Sequence, residues 1–524
     1  SQAANGRLCL LIVRAVFSGN PAASFVIFGC ASPGVVHPHT DPASIKEGAV
    51  VTSRSFFTSL FEPRAIAFIG ASNNPAKWGF NILHHLIRGQ YAGRLYPINA
   101  QGGAWFGRKM FKSLAEVTEP LDLAVIVVPK EKVPDAIREC SRAGIAAAVV
   151  ITAGFGETGP EGKILEQEVL RVARSCGVRI VGPNTMGIYS AYPTCVQAIM
   201  TSTQFKPGAV AVVSQSGNLG TSITDRLVRR EIGLSRLVSS GNEADLTVED
   251  YLDYLETDEK TKVICLYVEG VRQGHRFMET LRRISSVKPV ILLKGGTGIV
   301  GAGAAMSHTG ALAGSFAVFR AVCRQANIIM ADTIDEMVDI TGLFLSQPEI
   351  AGNRIGIVTQ GGGLGVLSAD LCEAVGLETP QLSDHIVAML DAFLPPFWSR
   401  RNPVDLVAPG RVSMITDSTA ALLAHADLDA IVLLGMGYMT SRATRWLASP
   451  VLPREAMAGP AQKMIEGEME LVDLIVRQIR EFNKPIIPVV DVVIQFDGAA
   501  TRLRPGQAVR VELAVPARAS EAGA

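Results

Sequence analysis

Short apolar runs that close in small-residue loops and lead into helical spacing recur along most of this chain. They limit its fold more than any other feature. Ala65-Ile66-Ala67-Phe68-Ile69 ends in Gly70-Ala71-Ser72-Asn73, and Gly79 to Ile87 then carries apolar residues at helical intervals. Arg94–Asn99, Leu121–Val128, Ala146–Thr152 and Arg179–Val181 continue the alternation. Continuous apolar runs suit strands buried on both faces, as in a parallel sheet covered by helices. The spacing therefore predicts an α/β chain built on a doubly wound parallel sheet, with ligands at the carboxyl ends of its strands. A strand, a small-residue turn and a helix start form a nucleotide-binding arrangement, because amides and the helix dipole face a diphosphate. The turn at Gly70 is not GxGxxG, however, and Asn99 stands where a ribose-gripping carboxylate would follow the next strand. Both points argue against an NAD-linked dehydrogenase.

A second unit opens at Pro207-Gly208. Its strand Ala209–Val213 leads through Ser214-Gln215-Ser216-Gly217-Asn218-Leu219-Gly220 into a helix. Leu237–Asp245, Val263–Gly270 and Val290–Leu293 supply further strand-and-loop segments. A third unit repeats the second, since Arg354–Gly365 parallels Val210–Gly220 at an offset of 359 − 214 = 145 positions. Such a repeat implies two flavodoxin-like units. The copy lacks Ser214 and Ser216, and nothing like the histidine stretch below follows Ile431–Gly437, so the third unit is read as structural or as a partner interface. Asn402-Pro403-Val404-Asp405 is read as a turn between its helices, and Thr440–Ala461 as an insertion. The division expected is a poorly structured leader at 1–54, domains at 55–200, 205–347 and 352–497, and a tail at 498–524.

Met306-Ser307-His308-Thr309-Gly310-Ala311 sets one histidine between two hydroxyls, with small residues after it. Small residues let backbone amides approach an anion, and an imidazole among them can accept a phosphoryl group or act as a base. A surface histidine bonded to its own backbone is the plainer alternative. With 49 Lys+Arg against 49 Asp+Glu, bulk charge draws the chain neither to nucleic acid nor to an anionic membrane. The eight cysteines form no CxxC pair and read as reduced core residues of a cytoplasmic protein, with no metal site. No run approaches the roughly 18 apolar residues of a membrane span.

Taken in order, Phe68-Ile69-Gly70-Ala71-Ser72, Val181-Gly182-Pro183-Asn184, Val213–Gly217, Gly241-Asn242-Glu243-Ala244-Asp245, Ser307–Gly314 and Asn402–Asp405 resemble the α-subunit-type half of nucleoside-diphosphate-forming acyl-CoA synthetases. That family includes ADP-forming acetyl-CoA synthetase and, more distantly, succinyl-CoA synthetase. The resemblance covers roughly Phe56–Val490 and implies a Rossmann-like CoA-binding domain followed by two flavodoxin-like ligase domains. It implies acyl-CoA, phosphate and ADP going to carboxylic acid, CoA and ATP through an acyl phosphate and a phosphohistidine. His308 would carry the phosphoryl group, and Glu269 would hold its other ring nitrogen. Phosphate would meet Ser214, Ser216, Gly217, Asn218, Ser307, Thr309 and Gly310. CoA would meet Gly70, Ala71, Ser72, Asn73, Lys77, Asn99, Val128, Pro129, Thr152 and Asn184. The acyl pocket is expected from loops near Asn184–Tyr192 and from the partner. No ATP-grasp fold follows the third unit, so Mg-ADP or Mg-ATP is expected on a separate ATP-grasp β-type subunit, in a hetero- or homo-oligomer. A CoA-binding regulatory or scaffold protein of the same fold is the alternative.

Overall fold

The computed structural model describes residues 53–298, 300–301, 303, 315–407 and 412–490, with side chains from Phe56. It also describes the backbone of two antiparallel pairs, Leu11–Ile12 with Val26–Ile27 and Gln495–Asp497 with Arg510–Glu512. The rest of the expected leader and tail lies outside the described residues. Two compact units emerge, Pro42–Leu345 and Ser346–Ala524 with Ser1–Asp41.

The larger unit begins with helix α1 (Ser53–Phe61) and a five-stranded sheet. Its strands are β1 (Ala65–Ile69), β2 (Arg94–Ile98), β3 (Leu123–Ile126), β4 (Ala147–Val150) and β5 (Arg179–Val181). They lie in the order β2-β1-β3-β4-β5, all parallel, with helices α2 (Trp78–Arg88), α3 (Val133–Arg142) and α4 (Pro160–Ser175) between them. Ile69 pairs with both Ile98 and Ile126, and Ile126 pairs with Val150. That register ends four strands in one row, so their loops open side by side. β1, β3 and β4 are buried at every position, as strands covered on both faces must be.

Seven strands form the second sheet: β6 (Gly187–Ser190), β7 (Val196–Ile199), β8 (Pro207–Ser214), β9 (Leu234–Ser239), β10 (Val263–Val268), β11 (Val290–Lys294) and β12 (Ile329–Ala331). Their order is β7-β6-β9-β8-β10-β11-β12, with β6 antiparallel to both of its neighbours and the other pairs parallel. Helices α5 (Gly217–Arg229), α6 (Val248–Thr257), α7 (Gly274–Ser285), α8 (Phe316–Gln325) and α9 (Ile334–Ser346) complete it. The sequence boundary at 200/205 differs from the boundary between sheets. β6 and β7 fall within the range assigned to the first domain, yet β6 pairs with β9, Ile188 opposite Val238. At four residues each, these strands are too short for periodicity to reveal their partner. The acyl-pocket expectation changes with them, because Gly187–Ser190 is a fully buried strand and not a loop.

Both sheets share one core, which runs from Phe56 to Ile328. Phe57 and Phe61 of α1 stack on Tyr254 of α6, with ring centroids 4.9 and 4.8 Å apart. The Ser190 hydroxyl donates to Phe61 O at 2.6 Å. Beneath them Arg236, 1% exposed, donates to Ser190 Oγ and Tyr192 O and pairs with Asp258 at 3.3 Å.

The third sheet is parallel, with β13 (Ile355–Thr359), β14 (Val404–Asp405), β15 (Ala430–Met436) and β16 (Ile486–Val490) in the order β14-β13-β15-β16. Asn402–Val404 is therefore not a turn between helices; it leads into edge strand β14. The segment read as an insertion forms α13 (Tyr438–Leu447) and the start of α14 (Arg454–Phe482), α10 to α12 being Gly362–Ala374, Asp384–Asp391 and Val412–Leu423. The repeat is visible atom by atom. Ser214 Oγ donates to Ser216 O at 2.6 Å, and Thr359 Oγ1, 145 positions on, to Gly361 O at 2.8 Å. Gln215 Nε2 reaches Gly270 O at 2.9 Å, and Gln360 Nε2 reaches Gly435 O at 3.1 Å. By that equivalence Leu434 stands where the second sheet has Glu269.

Candidate active site

Chain direction across the first sheet reverses between β1 and β3, where an open α/β sheet offers its ligand crevice. Gly70 follows β1 at φ +101°, and a Cβ there would lie 2.2 Å from Val127 O. A Cβ on Gly79, in the first turn of α2, would lie 2.1 Å from Gly70 O. These two glycines let the helix start, the β1 turn and the end of β3 meet. Lys77 caps α2 in an extended conformation without a side-chain capping bond, so no cap side chain covers the first-turn amides.

Most motif side chains here shape the crevice. Asn99 Nδ2 donates to Ala71 O at 2.7 Å, and its Oδ1 accepts from Gln101 N at 2.8 Å. Thr152 Oγ1 donates to Val128 O at 2.6 Å, Pro129 opens the short turn Lys130–Lys132, and Ser72 Oγ accepts from Asn74 N. Asn73 donates to Ala104 O, and Asn184, at φ +57°, turns its amide to Asn242 Oδ1. What these bonded side chains leave for a ligand is backbone, which suits a diphosphate.

A second reversal lies between β8 and β10. Gln215, just after β8, bridges it. Its Oε1 accepts from Glu269 N at 2.6 Å and Gly270 N at 3.0 Å, and its Nε2 donates to Gly270 O and to Glu243 Oε2 at 3.1 Å. Glu269 is buried at the end of β10, with Tyr267 Oη donating to its Oε1 at 3.2 Å and Lys294 Nζ to its backbone O at 2.8 Å. Burial holds the Lys294 ammonium below the ordinary lysine range, with Glu269 opposing the shift. A Cβ on Gly295 would lie 2.3 Å from Tyr267 Oη, so that glycine makes room for the Tyr267–Glu269 contact.

On the other side of β8, Glu243 is buried at φ +52°. Ser240 Oγ donates to its Oε1 at 2.7 Å, and Arg272 donates to the carbonyls of Glu243 and Asn242. Asn242 Nδ2 reaches back to Glu157 in the loop after β4 and to Glu166 of α4, at 2.6 and 2.7 Å, tying the two crevices together. Burial raises the Glu157 carboxyl, but hydrogen bonds from Asn242 and the Gly154 and Phe155 amides outweigh it and hold the group low.

Ser216 caps α5, its side chain accepting from Leu219 N, and Gly217 and the exposed Asn218 form the helix start. Ser214 departs from its expected place. It is fully buried, and its hydroxyl closes the turn onto Ser216 O, so it shapes the loop and does not face a ligand. Ser307, His308, Thr309 and Gly310 lie outside the described residues. Gln215, Tyr267, Lys294 and Gly295 were not among the expected site residues. Among the described residues no helix is long and apolar enough to cross a membrane, and no group of three His, Cys, Asp or Glu could hold a metal.

Residues 64–191 match the family model of a CoA binding domain, and residues 207–344 that of a succinyl-CoA ligase like flavodoxin domain. The α subunit of ADP-forming acetate–CoA ligase II from Pyrococcus furiosus is 41% identical over 374 residues, 71% of this chain and 81% of that one. The ADP-forming acetate–CoA ligase of Methanocaldococcus jannaschii is 39% identical over 66% of this chain, but only 48% of its own length is matched. A solved acetyl-coenzyme A synthetase 1 of Ca. Korarchaeum cryptofilum, in complex with phosphate and ADP, superposes with a TM-score of 0.72 at 34% identity, covering 83% of this chain and 89% of that one. On this similarity, and with both crevices in place, the chain belongs to the α-subunit family of ADP-forming acetate–CoA ligases.

Proposed function

We propose that the chain is the α-type subunit of an ADP-forming acyl-CoA synthetase, an acid–thiol ligase, working in the cytoplasm with an ATP-grasp β-type subunit that binds Mg-ADP. The observation that carries the reading is Glu269, a buried carboxylate at the reversal point of the second sheet, held at its amide, its carbonyl and its carboxylate by Gln215, Lys294 and Tyr267. A fold that only bound CoA at the first sheet would have no need of it. The similarity to a separately named α subunit in Pyrococcus furiosus supports a partner subunit.

In this reading CoA lies in the first crevice, its diphosphate toward Gly70, Ala71 and the start of α2. A phosphate oxygen attacks the thioester carbonyl, the C–S bond breaks, and CoA leaves as the thiol with one proton. One ring nitrogen of His308 then attacks phosphorus, the bond to the acyl oxygen breaks, and the carboxylate departs. Glu269 holds the proton on the other ring nitrogen, which fixes the tautomer and supports the positive charge that develops. The Ser216–Asn218 helix start, with Ser307, Thr309 and Gly310, cradles the phosphoryl oxygens, since this chemistry depends on positioning and charge stabilisation. ADP on the partner finally takes the phosphoryl group from nitrogen.

Incubation with acetyl [32P]phosphate should label the protein with an acid-labile, base-stable phosphoramidate. His308→Ala should remove the label; equal labelling of that variant refutes the reading and leaves a CoA-binding protein.

A further inference from the structure

Gln215 has no hydrogen-bonding capacity left over. Both groups that face its Oε1 are donors, and both that face its Nε2 are acceptors. A flipped amide would set oxygen against oxygen and N–H against N–H, so only one orientation fits. Gly270 already enforces it, because its N–H faces Oε1 and its carbonyl faces Nε2, and the Glu269 N–H adds a second donor on the oxygen side. The carboxylate of Glu243 adds a second acceptor on the nitrogen side.

Keeping that carboxylate buried is expensive unless it has a task. Burial pushes the Glu243 carboxyl up to about 7 against hydrogen bonds from Ser240 and Gln215, with Glu249 adding to the rise and Arg272 opposing it. The third sheet serves as an internal control. Gln360 makes the same bond to the neighbouring strand, but among the described residues its amide makes that bond alone, and Leu434 occupies the place of Glu269. The buried glutamate accompanies the copy that has an acid to aim.

We propose that Gln215 and Glu243 are a positioning pair for Glu269: Glu243 anchors the Nε2 end of the Gln215 amide, and Gln215 grips the Glu269–Gly270 peptide so that the carboxylate points into the crevice. The pair rests on reading Glu269 as the partner of His308, and it acts through Glu269 without touching the phosphoryl group.

The test is the rate at which acetyl [32P]phosphate labels the full chain. Gln215→Glu keeps the size but turns an oxygen toward Glu243 and Gly270 O, and should slow labelling about 10- to 100-fold. The half-saturating acetyl phosphate concentration and the affinity for CoA should hold. Adding Glu243→Gln turns an amide donor toward the new carboxylate and removes one of the two oxygen–oxygen contacts, that with Gly270 O remaining, so labelling should return in part. A role in folding alone would not produce that rescue. Wild-type labelling of Gln215→Glu, or a double variant no faster than the single one, overturns the proposal. Should Gln215→Glu fail to bind CoA or to show a thermal transition, Gln215→Met replaces it, with slowed labelling supporting the proposal and wild-type labelling overturning it. His308→Ala runs alongside: if it is labelled like wild type, the phosphohistidine reading has failed, and that failure is seen apart from the pair.

Discussion

Gly295→Ala puts the account of Glu269 under the most direct strain. The new methyl would lie 2.3 Å from Tyr267 Oη, 3.0 Å from its Cζ and 3.3 Å from Glu269 Cγ. Ordinary contact begins near 3.4 Å, so the hydroxyl must retreat by 3.4 − 2.3, about 1.1 Å. Its 3.2 Å bond to Glu269 Oε1 does not survive a retreat of that size away from the carboxylate. Overpacking of this kind costs roughly 1–3 kcal/mol of stability, which a domain of this size tolerates. A misplacement of about 1 Å at a reacting group costs on the order of 100-fold in rate. Labelling by acetyl [32P]phosphate should therefore slow about 100-fold while CoA binding by calorimetry is unchanged. Gly298→Ala, in the same loop with nothing within 4 Å of its Cβ, should label like wild type. Tyr267→Phe removes the nearest obstacle, so the double variant Gly295→Ala/Tyr267→Phe should label faster than Gly295→Ala alone, a coupling that a double-mutant cycle measures. Wild-type labelling of Gly295→Ala would refute the claim that Tyr267 and Glu269 act together.

Gly70→Ala sets a side chain at φ +101° and 2.2 Å from Val127 O, so CoA affinity by calorimetry should fall at least about tenfold, a loss within the roughly 1–3 kcal/mol cost of such backbone strain. Arg236→Met leaves the nearly buried Asp258 without its partner and should cost roughly 3–5 kcal/mol in urea unfolding, part of it recovered by Asp258→Asn. Glu243 gives the larger unit a pH signature. Its folded carboxyl titrates near 7 against an ordinary 4.5, so the native state holds the proton more tightly and stability falls as pH rises through that window. The decline amounts to roughly 3 kcal/mol between about pH 4.5 and 7, and Glu243→Gln should flatten it in urea midpoints taken across the range.

Much of the fold was legible because the strands are buried on both faces, and the uninterrupted apolar runs at Ala65–Ile69, Leu123–Ile126 and Val263–Val268 say so without reference to anything distant. The repeat at 145 positions was legible for a similar reason: Thr359 keeps the hydroxyl of Ser214 and Gln360 the amide of Gln215. What escaped depends on residues far apart in the chain. The pairing of Ile188 with Val238 brings two four-residue strands into another sheet, and nothing local announces it. Gln215 sat inside a motif whose serines drew the attention, yet its partners lie 28 to 55 positions away. Gly295 looked like ordinary loop chemistry until Tyr267 stood beside it. The buried place of Ser214 could have been suspected, because a residue that ends an apolar strand in the middle of a sheet is covered on both sides.

The glutamine that joins neighbouring strands in both flavodoxin-like units has a further consequence. In the third it spans from β13 to β15 at a place where Leu434 offers nothing to direct, so the link is a mechanical rivet available to any copy of this architecture. The second unit turns the same rivet into a gunsight with one more residue, Glu243, and one acid to point. Chemistry could thus be gained or shed by this fold through two side chains, with the frame left standing.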